Sequence, residues 1–210
     1  MSIRLFDVRW RSKHAGPSLA KDNERVELFL AGCKIAREGN PCPDCFNPSL
    51  WYVPSRCPDL DPKFVADHIQ HYAKVPYISI VGGEPFDQLP ELISLCRHLK
   101  EHGFHIIIFT HYCVNKDMPD EAKDLFPVID VLIDGPYIKE QRMYDPEQKD
   151  GFHNVVGSGN QVVWDCYRQI GYAAEHLTGI QMNNDPGIVF QTKENAVLLR
   201  MYNDEDKPEE

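Results

Sequence analysis

Three of the chain's seven cysteines fall within one stretch, Ala31 to Trp51, which reads AGCKIAREGNPCPDCFNPSLW. Cys33, Cys42 and Cys45 are interleaved with Gly32, Pro41, Pro43 and Pro48, and glycine and proline at that density interrupt both helix and strand. The thiols therefore converge from an irregular loop on one point, and that point reads as a metal. Three assignments compete. A disulfide framework strands one thiol, and the N-terminus MSIRLFDVRW has no apolar core of a secretory signal. A structural zinc site lacks a fourth ligand at the usual spacing, since Cys57 serves only by folding back over twelve residues. An iron-sulfur cluster held by three thiolates leaves its fourth iron open to a ligand from outside the protein, and an open coordination position is what catalysis needs.

The next landmark bears on that choice. An apolar, β-rich run from Tyr77 to Val81 ends directly in Gly82-Gly83-Glu84-Pro85, followed by Phe86, Asp87 and Gln88. Glycines at a strand end let backbone groups approach a ligand closely, and a carboxylate beside them accepts hydrogen bonds from an ammonium group. The combination suits the amino end of an amino acid.

A cysteine loop ending in Cys-x-x-Cys, followed by a strand ending in GGEP, resembles the pattern of radical S-adenosylmethionine enzymes. More narrowly, GC at 32–33, CPDCFNPSLW at 42–51, GGEPFDQ at 82–88, DVLIDGPY at 130–137 and GSGNQ at 157–161 resemble the activating proteins of anaerobic ribonucleotide reductase. Several motifs in the right order over residues 16 to 161 are far more specific than any one of them. Pyruvate formate-lyase activating enzymes are more distant relatives of the same kind. The resemblance implies a 4Fe-4S cluster bound by Cys33, Cys42 and Cys45, with S-adenosyl-L-methionine chelated at the open iron. It implies that Gly82, Gly83 and Glu84 hold the methionine amino group, that Thr110 and Asp134 line the rest of that site, and that Asp44 and Phe46 contact the cofactor, Phe46 by shielding the cluster or packing on the adenine. The implied partners are a glycyl radical enzyme subunit, whose glycine gives up a hydrogen atom, and a one-electron donor such as flavodoxin. One departure stands out. Eight residues separate Cys33 from Cys42, against the family's Cys-x3-Cys; closing the longer loop costs only about 0.7 kcal/mol more. Gly32 and the apolar run VELFLA before Cys33 match the family and favour it over Cys57 as the first ligand.

At 210 residues the chain is expected to form a single domain, 1–202, ahead of an acidic disordered tail, 203–210. With 32 acidic against 22 basic residues the net charge is -10, which argues against nucleic acid as a partner because phosphate binding draws on clustered Lys and Arg. No apolar run reaches membrane-span length, and unpaired cysteines beside an oxygen-sensitive cluster point to the cytoplasm.

Along the chain, residues 2–10 and Arg25–Leu30 read as strands, the second delivering Gly32 and Cys33 at its end, and Asp61-Pro62 opens an amphipathic helix to about Lys74. A second helix covers Leu89–His102, with Cys96 as a core residue and Gly103 just past its end, and a short helix covers Pro119–Phe126. FHIIIF (104–109) and DVLID (130–134) read as strands covered on both faces. His111 stands at a position where the family has glycine, and Cys113 reads as a bystander. Residues 137–157 form either an active-site cover or a mobile segment. GIVFQ at 187 and AVLLRM at 196 read as a hairpin flanking KEN. The strand-helix alternation from 25 to 134 predicts the α/β class, with parallel strands in an open partial (β/α) barrel whose ligands collect at the C-terminal strand ends, where Cys33, Glu84, Thr110 and Asp134 all fall. Two alternatives remain at this stage. One is a radical enzyme acting on a small molecule, such as a 7-carboxy-7-deazaguanine synthase; the other is a non-catalytic zinc or iron-sulfur interaction module closed by Cys57.

Overall fold

The computed structural model describes residues 2–145, 147, 152–153, 155–183 and 187–202. The acidic tail lies outside the described residues, as does part of the 137–157 segment. Four parallel strands carry the structure: β2 (Arg25–Leu30), β4 (Tyr77–Gly82), β5 (His105–Phe109) and β6 (Val131–Asp134). Their register sets Leu28, Ile80, Ile108 and Leu132 side by side. Antiparallel strands extend both sides. β1 (Ile3–Ser12) pairs with β2 and with the two-residue β3 (Asp59–Leu60), while β7 (Val162–Asp165), β8 (Ile170–Ala173) and β11 (Leu199–Arg200) follow β6. Among the described residues the result is one mixed sheet of nine strands, in the order β11-β8-β7-β6-β5-β4-β2-β1-β3. The α/β class expected from the alternation is the class observed.

Side chains alternate across a strand, and here the alternation separates two cores. On one face Val26, Leu28, Leu30, Ile78, Ile80, Ile106, Ile108 and Leu132 pack under the helices. The covering helices are α2 (Pro62–Tyr72) and α3 (Leu89–Glu101), which follow the one-turn α1 (Lys34–Arg37) in chain order. The start of α2 is fixed by Asp61, whose side chain accepts from the Phe64 amide at 2.9 Å, with Pro62 in the first turn. It buries Val65, Ala66 and Ile69, and α3 buries Leu89, Leu92, Leu95, Cys96 and Leu99. Past the end of α3, Gly103 takes a φ of 81°, the left-handed turn that stops a helix. Cys96 is a core residue, as its place in the helical stripe indicates.

The opposite face of the sheet carries Ile107, Val131, Ile133 and Val163, packed with Phe152, Val155 and Val156. At its base lies Arg25, fully buried. Its guanidinium donates to the Ser79 hydroxyl at 2.7 Å, the Pro17 carbonyl at 2.7 Å and the Ile78 carbonyl, and Ser79 donates in turn to the Ala15 carbonyl at 2.6 Å. Burial lowers the Arg25 pKa to about 9. The Gly16-Pro17 pair is thus stapled against the inner face, with Gly16 beside Ile107 and Val155.

The C-terminal reading needs correction. Residues 187–201 do not pair with one another: β10 (Ile188–Thr192) pairs with β9 (Leu177–Met182), and β11 pairs with β8. The cause lies upstream, at Asp165 and Arg168. The Ile188 amide donates to Asp165 at 3.2 Å and Arg168 donates to the Ile188 carbonyl at 2.8 Å, while Ile188 joins Leu177 and Ile180 in the inner core. Val197 and Leu198 remain exposed, so nothing holds them against β10. Among the described residues no helix is long and apolar enough to cross a membrane.

Replacing Arg25 by methionine leaves three buried oxygens without their donor, and each such group costs about 1–3 kcal/mol. We expect Arg25→Met to lower the unfolding free energy by about 3 kcal/mol or more in a urea titration and to make residues 13–19 the first site of limited proteolysis. A variant as stable and as protease-resistant as the parent would show that Arg25 does not hold this loop.

Candidate active site

The ends of β2 and β4 approach so closely that only glycine fits between them. A Cβ on Gly82, at φ 131°, would lie 2.2 Å from the Leu30 carbonyl oxygen, and one on Gly83 would lie 2.0 Å from the Gly32 carbonyl oxygen. In that space the Gly83 amide donates to Leu30 O at 2.8 Å and the Glu84 amide to Gly32 O at 2.7 Å. The two glycines thus serve backbone-to-backbone contact, a role the sequence reading did not assign, while also facing the cavity beyond.

That cavity has a volume of about 430 Å³, within the range of small-molecule sites. Cys33, Cys42 and Cys45 all line it, together with Gly82, Gly83, Glu84, Thr110 and His111. Cys57 and Cys113 are not among its lining residues. The cysteine loop is closed at its neck: Gly32 N donates to Leu50 O at 2.9 Å and Cys33 N to Trp51 O at 3.0 Å. The Trp51 indole donates to Cys45 Sγ at 3.4 Å, and Cys42 Sγ lies 3.5 Å from His111 Nδ1. Partial burial pushes the Cys33 and Cys42 thiols upward in pKa. Among the described residues no three His, Cys, Asp or Glu side chains form a single-ion cage.

Glu84 is buried, and three donors from the chain meet its carboxylate. It accepts from Phe86 N at 3.0 Å, Thr110 Oγ1 at 2.8 Å and His111 N at 2.8 Å. Burial raises its carboxyl to about 7, and the three donors act against that rise. Glu84 and Thr110, read from separate motifs, are therefore one hydrogen-bonded unit, and the Glu84 carboxylate joins the end of β5 to the end of β4.

Asp134 is a correction. The sequence places it beside the cofactor, but its carboxylate turns into the protein, accepting from Val114 N at 2.7 Å and Val162 N at 3.3 Å, and burial raises it to about 6. Gly135 takes its place in the cavity wall. An Asp at a strand end followed by glycine can face either way, and here the two free amides decide. Asp44 and Phe46 both line the cavity beside Cys45. Asp44, at φ 51°, pairs with Lys139 at 2.7 Å, and Phe46, 66% exposed, packs edge-on against Tyr144 at 5.3 Å between centroids. The described part of the 137–157 segment thus does meet the cysteine loop, with Tyr137, Tyr144, Val155 and Gly157 in the lining.

DGPY and GSGNQ form one wall. The Gln161 amide donates to Gly135 O at 3.1 Å and accepts from Gly157 N at 2.9 Å, and Asn160 donates to Pro136 O at 2.8 Å. The sequence reading missed Phe29, Val81 and Phe109, which line the cavity as well. Each stands immediately before its parallel strand's last residue or polar end, and that shared position was the available signal.

The family of 4Fe-4S single cluster domains matches residues 23–164. An anaerobic ribonucleoside-triphosphate reductase-activating protein of Vibrio cholerae is 30% identical over 146 residues, 66% of this chain and 86% of the relative. The chain belongs to this family of activating proteins. The Escherichia coli K12 protein of the same description is 27% identical over the same shares, and a pyruvate formate-lyase-activating enzyme of Staphylococcus epidermidis is 34% identical over 110 residues, 48% of this chain and 38% of the relative. The donor set fits the family's group: three soft thiols on one cavity, with no fourth thiol among its described lining residues, and Gly82 and Gly83 in the same wall.

For a carboxyl whose folded pKa exceeds its unfolded value, folding is helped below the unfolded value and that help is lost as pH rises through the folded one. For Glu84 the window runs from 4.5 to about 7. We expect the Glu84 carboxyl carbon to titrate near 7 by NMR in metal-free protein, and Thr110→Val, which removes one donor, to move that midpoint upward and to destabilise the fold at pH 8 by about 1–3 kcal/mol. A midpoint in the ordinary carboxyl range would contradict the burial described here.

Proposed function

We propose that this chain is a radical S-adenosyl-L-methionine activase that generates a glycyl radical on a partner protein, an anaerobic ribonucleotide reductase being the partner that the names of its relatives point to. The observation that carries the reading is one cavity onto which three thiols and the Gly82-Gly83-Glu84 turn all open, in a chain of this family. In this reading the mixed sheet is an open partial (β/α) barrel forming a single domain, 1–202, with the acidic tail 203–210 beyond it. Cys33, Cys42 and Cys45 hold the cluster. A reduced 4Fe-4S cluster, when bound there, supplies the one electron that splits the sulfonium of S-adenosyl-L-methionine into methionine and a carbon radical able to take hydrogen from glycine.

The chain's own residues do the rest. Gly82 and Gly83 turn main-chain groups toward the cavity for the methionine amino group, and Glu84, buried behind them, fixes the ends of β4 and β5 at one spacing. Thr110 faces the same site from β5. Asp134 acts one step back, holding Val114 and Val162 so that Gly135 stays in the wall. Asp44 with Lys139, and Phe46 with Tyr144 and Tyr137, tie the cysteine loop to the stretch after β6. Holding reactants in place and dry is the protein's share of such chemistry. The electron comes from an external donor such as flavodoxin, and the cytoplasm is the compartment that suits the cluster. The acidic balance of the chain speaks for a protein substrate over nucleic acid. Cys57, outside the cavity wall, leaves the four-thiolate zinc module without its fourth ligand.

The test is electron paramagnetic resonance of the anaerobically reconstituted, reduced protein. We expect a 4Fe-4S signal that changes shape when S-adenosyl-L-methionine is added, and loss of the signal in each of Cys33→Ala, Cys42→Ala and Cys45→Ala while Cys57→Ala keeps it. Mixed with the reductase, the loaded protein should give a glycyl radical signal. A cluster that ignores S-adenosyl-L-methionine, or binding to the reductase that leaves no radical, would discard the proposal.

A further inference from the structure

The residues after the two glycines also have targets on both sides of Cys33. Along the chain from Leu30 to Lys34, the GGEPFDQ turn meets four of the five residues. Gly83 N donates to Leu30 O at 2.8 Å and Glu84 N to Gly32 O at 2.7 Å. The Gln88 side-chain amide donates to Ala31 O at 3.2 Å, while its oxygen accepts from Arg4 N at 2.7 Å and Arg4 Nε at 3.1 Å. Asp87 accepts from the Lys34 amide and faces the Arg37 guanidinium at 3.9 Å. Gln88 is buried and the Asp87 side chain is only 9% exposed. Cys33 is thus bracketed: the Gln88 side chain holds Ala31, two residues before it, and the Asp87 side chain holds Lys34, immediately after it.

The same contacts account for the long spacing to Cys42. The extra residues begin as the one-turn helix α1, Lys34–Arg37, and Asp87 grips its first amide and its last side chain. A four-residue helix has little stability of its own, so its placement comes from this grip.

We propose that Asp87 and Gln88 are positioning residues for Cys33, and that Asp87 in particular holds the inserted helical turn so that the longer loop still presents this thiol to the cavity. The inference deepens the functional reading above but does not share its fate, because the position of the thiol can be read without any cluster.

The experiment measures the alkylation rates of Cys33, Cys42 and Cys45 by mass spectrometry in the metal-free full chain, for the parent, Asp87→Ala, Asp87→Asn and Gln88→Ala. The Asp87→Ala chain is expected to alkylate at Cys33 about tenfold faster, the factor expected from losing one hydrogen bond to a charged acceptor, with Cys42 and Cys45 unchanged. Asp87→Asn keeps an acceptor for the Lys34 amide and should restore most of the protection. Gln88→Ala should raise the Cys33 rate in the same selective way. After reconstitution, Asp87→Ala should also change the shape of the reduced cluster's resonance signal relative to Asp87→Asn. Equal rates in all four chains would overturn the proposal. So would a uniform rise at all three cysteines together with a lower melting temperature, since that is general loosening and not positioning. A parent chain that takes up no cluster but shows the selective change at Cys33 would reject the functional reading and keep this one.

Discussion

Two backbones touching at the ends of β2 and β4 set the geometry of everything around them. Because Gly82 and Gly83 carry no side chain, the strand end can lie against Leu30 and Gly32 and donate two amides to them. That contact fixes where β2 stops and therefore where Cys33 stands. It also fixes where Glu84 emerges, and Glu84 reaches Thr110 and His111 on the next strand. One side of the cavity is thus defined by main-chain contact and a single buried carboxylate. These are rigid parts, as a site that must hold its reactants within fractions of an ångström requires.

Buried charge is handled differently at the two ends of the sheet. At the base, Arg25 is surrounded by carbonyl and hydroxyl oxygens, so a full positive charge is dispersed over neutral acceptors. Near the top, Glu84 and Asp134 are each neutralised in part by backbone amides. Burial shifts all three groups toward their neutral forms. The buried polar groups cross-link strands and loops that hydrophobic contact alone would leave free to slide.

Much of this architecture was legible in the chain. The parallel strands announced themselves as apolar runs ending in polar or glycine-rich motifs, and the helices by capping residues and helical spacing at Asp61, Pro62 and Gly103. The cysteines, GGEP and Thr110, read from separate motifs, line one cavity in the structure. What failed was information that depends on partners distant in sequence. Asp134 shows the limit, since only the positions of the Val114 and Val162 amides decide which way it faces. The C-terminal strands show it again: Ile188 is placed by Asp165 and Arg168, and no local pattern in GIVFQ records that. Asp44 and Phe46 line the cavity, but their partners Lys139 and Tyr144 come from a segment that no local pattern links to the cysteine loop. Glycine was read as an invitation to a ligand, whereas the first thing it admits here is another backbone.

The neck of the cysteine loop, where Gly32 and Cys33 pair with Leu50 and Trp51, has a bearing on how such chains diverge. A loop closed at its base behaves as a module: residues can be inserted or deleted between Cys33 and Cys42 without transmitting a shift into β2 or into the chain after Trp51. Loop length then becomes free to drift through evolution, or to be altered by design, while the scaffold on either side keeps its frame.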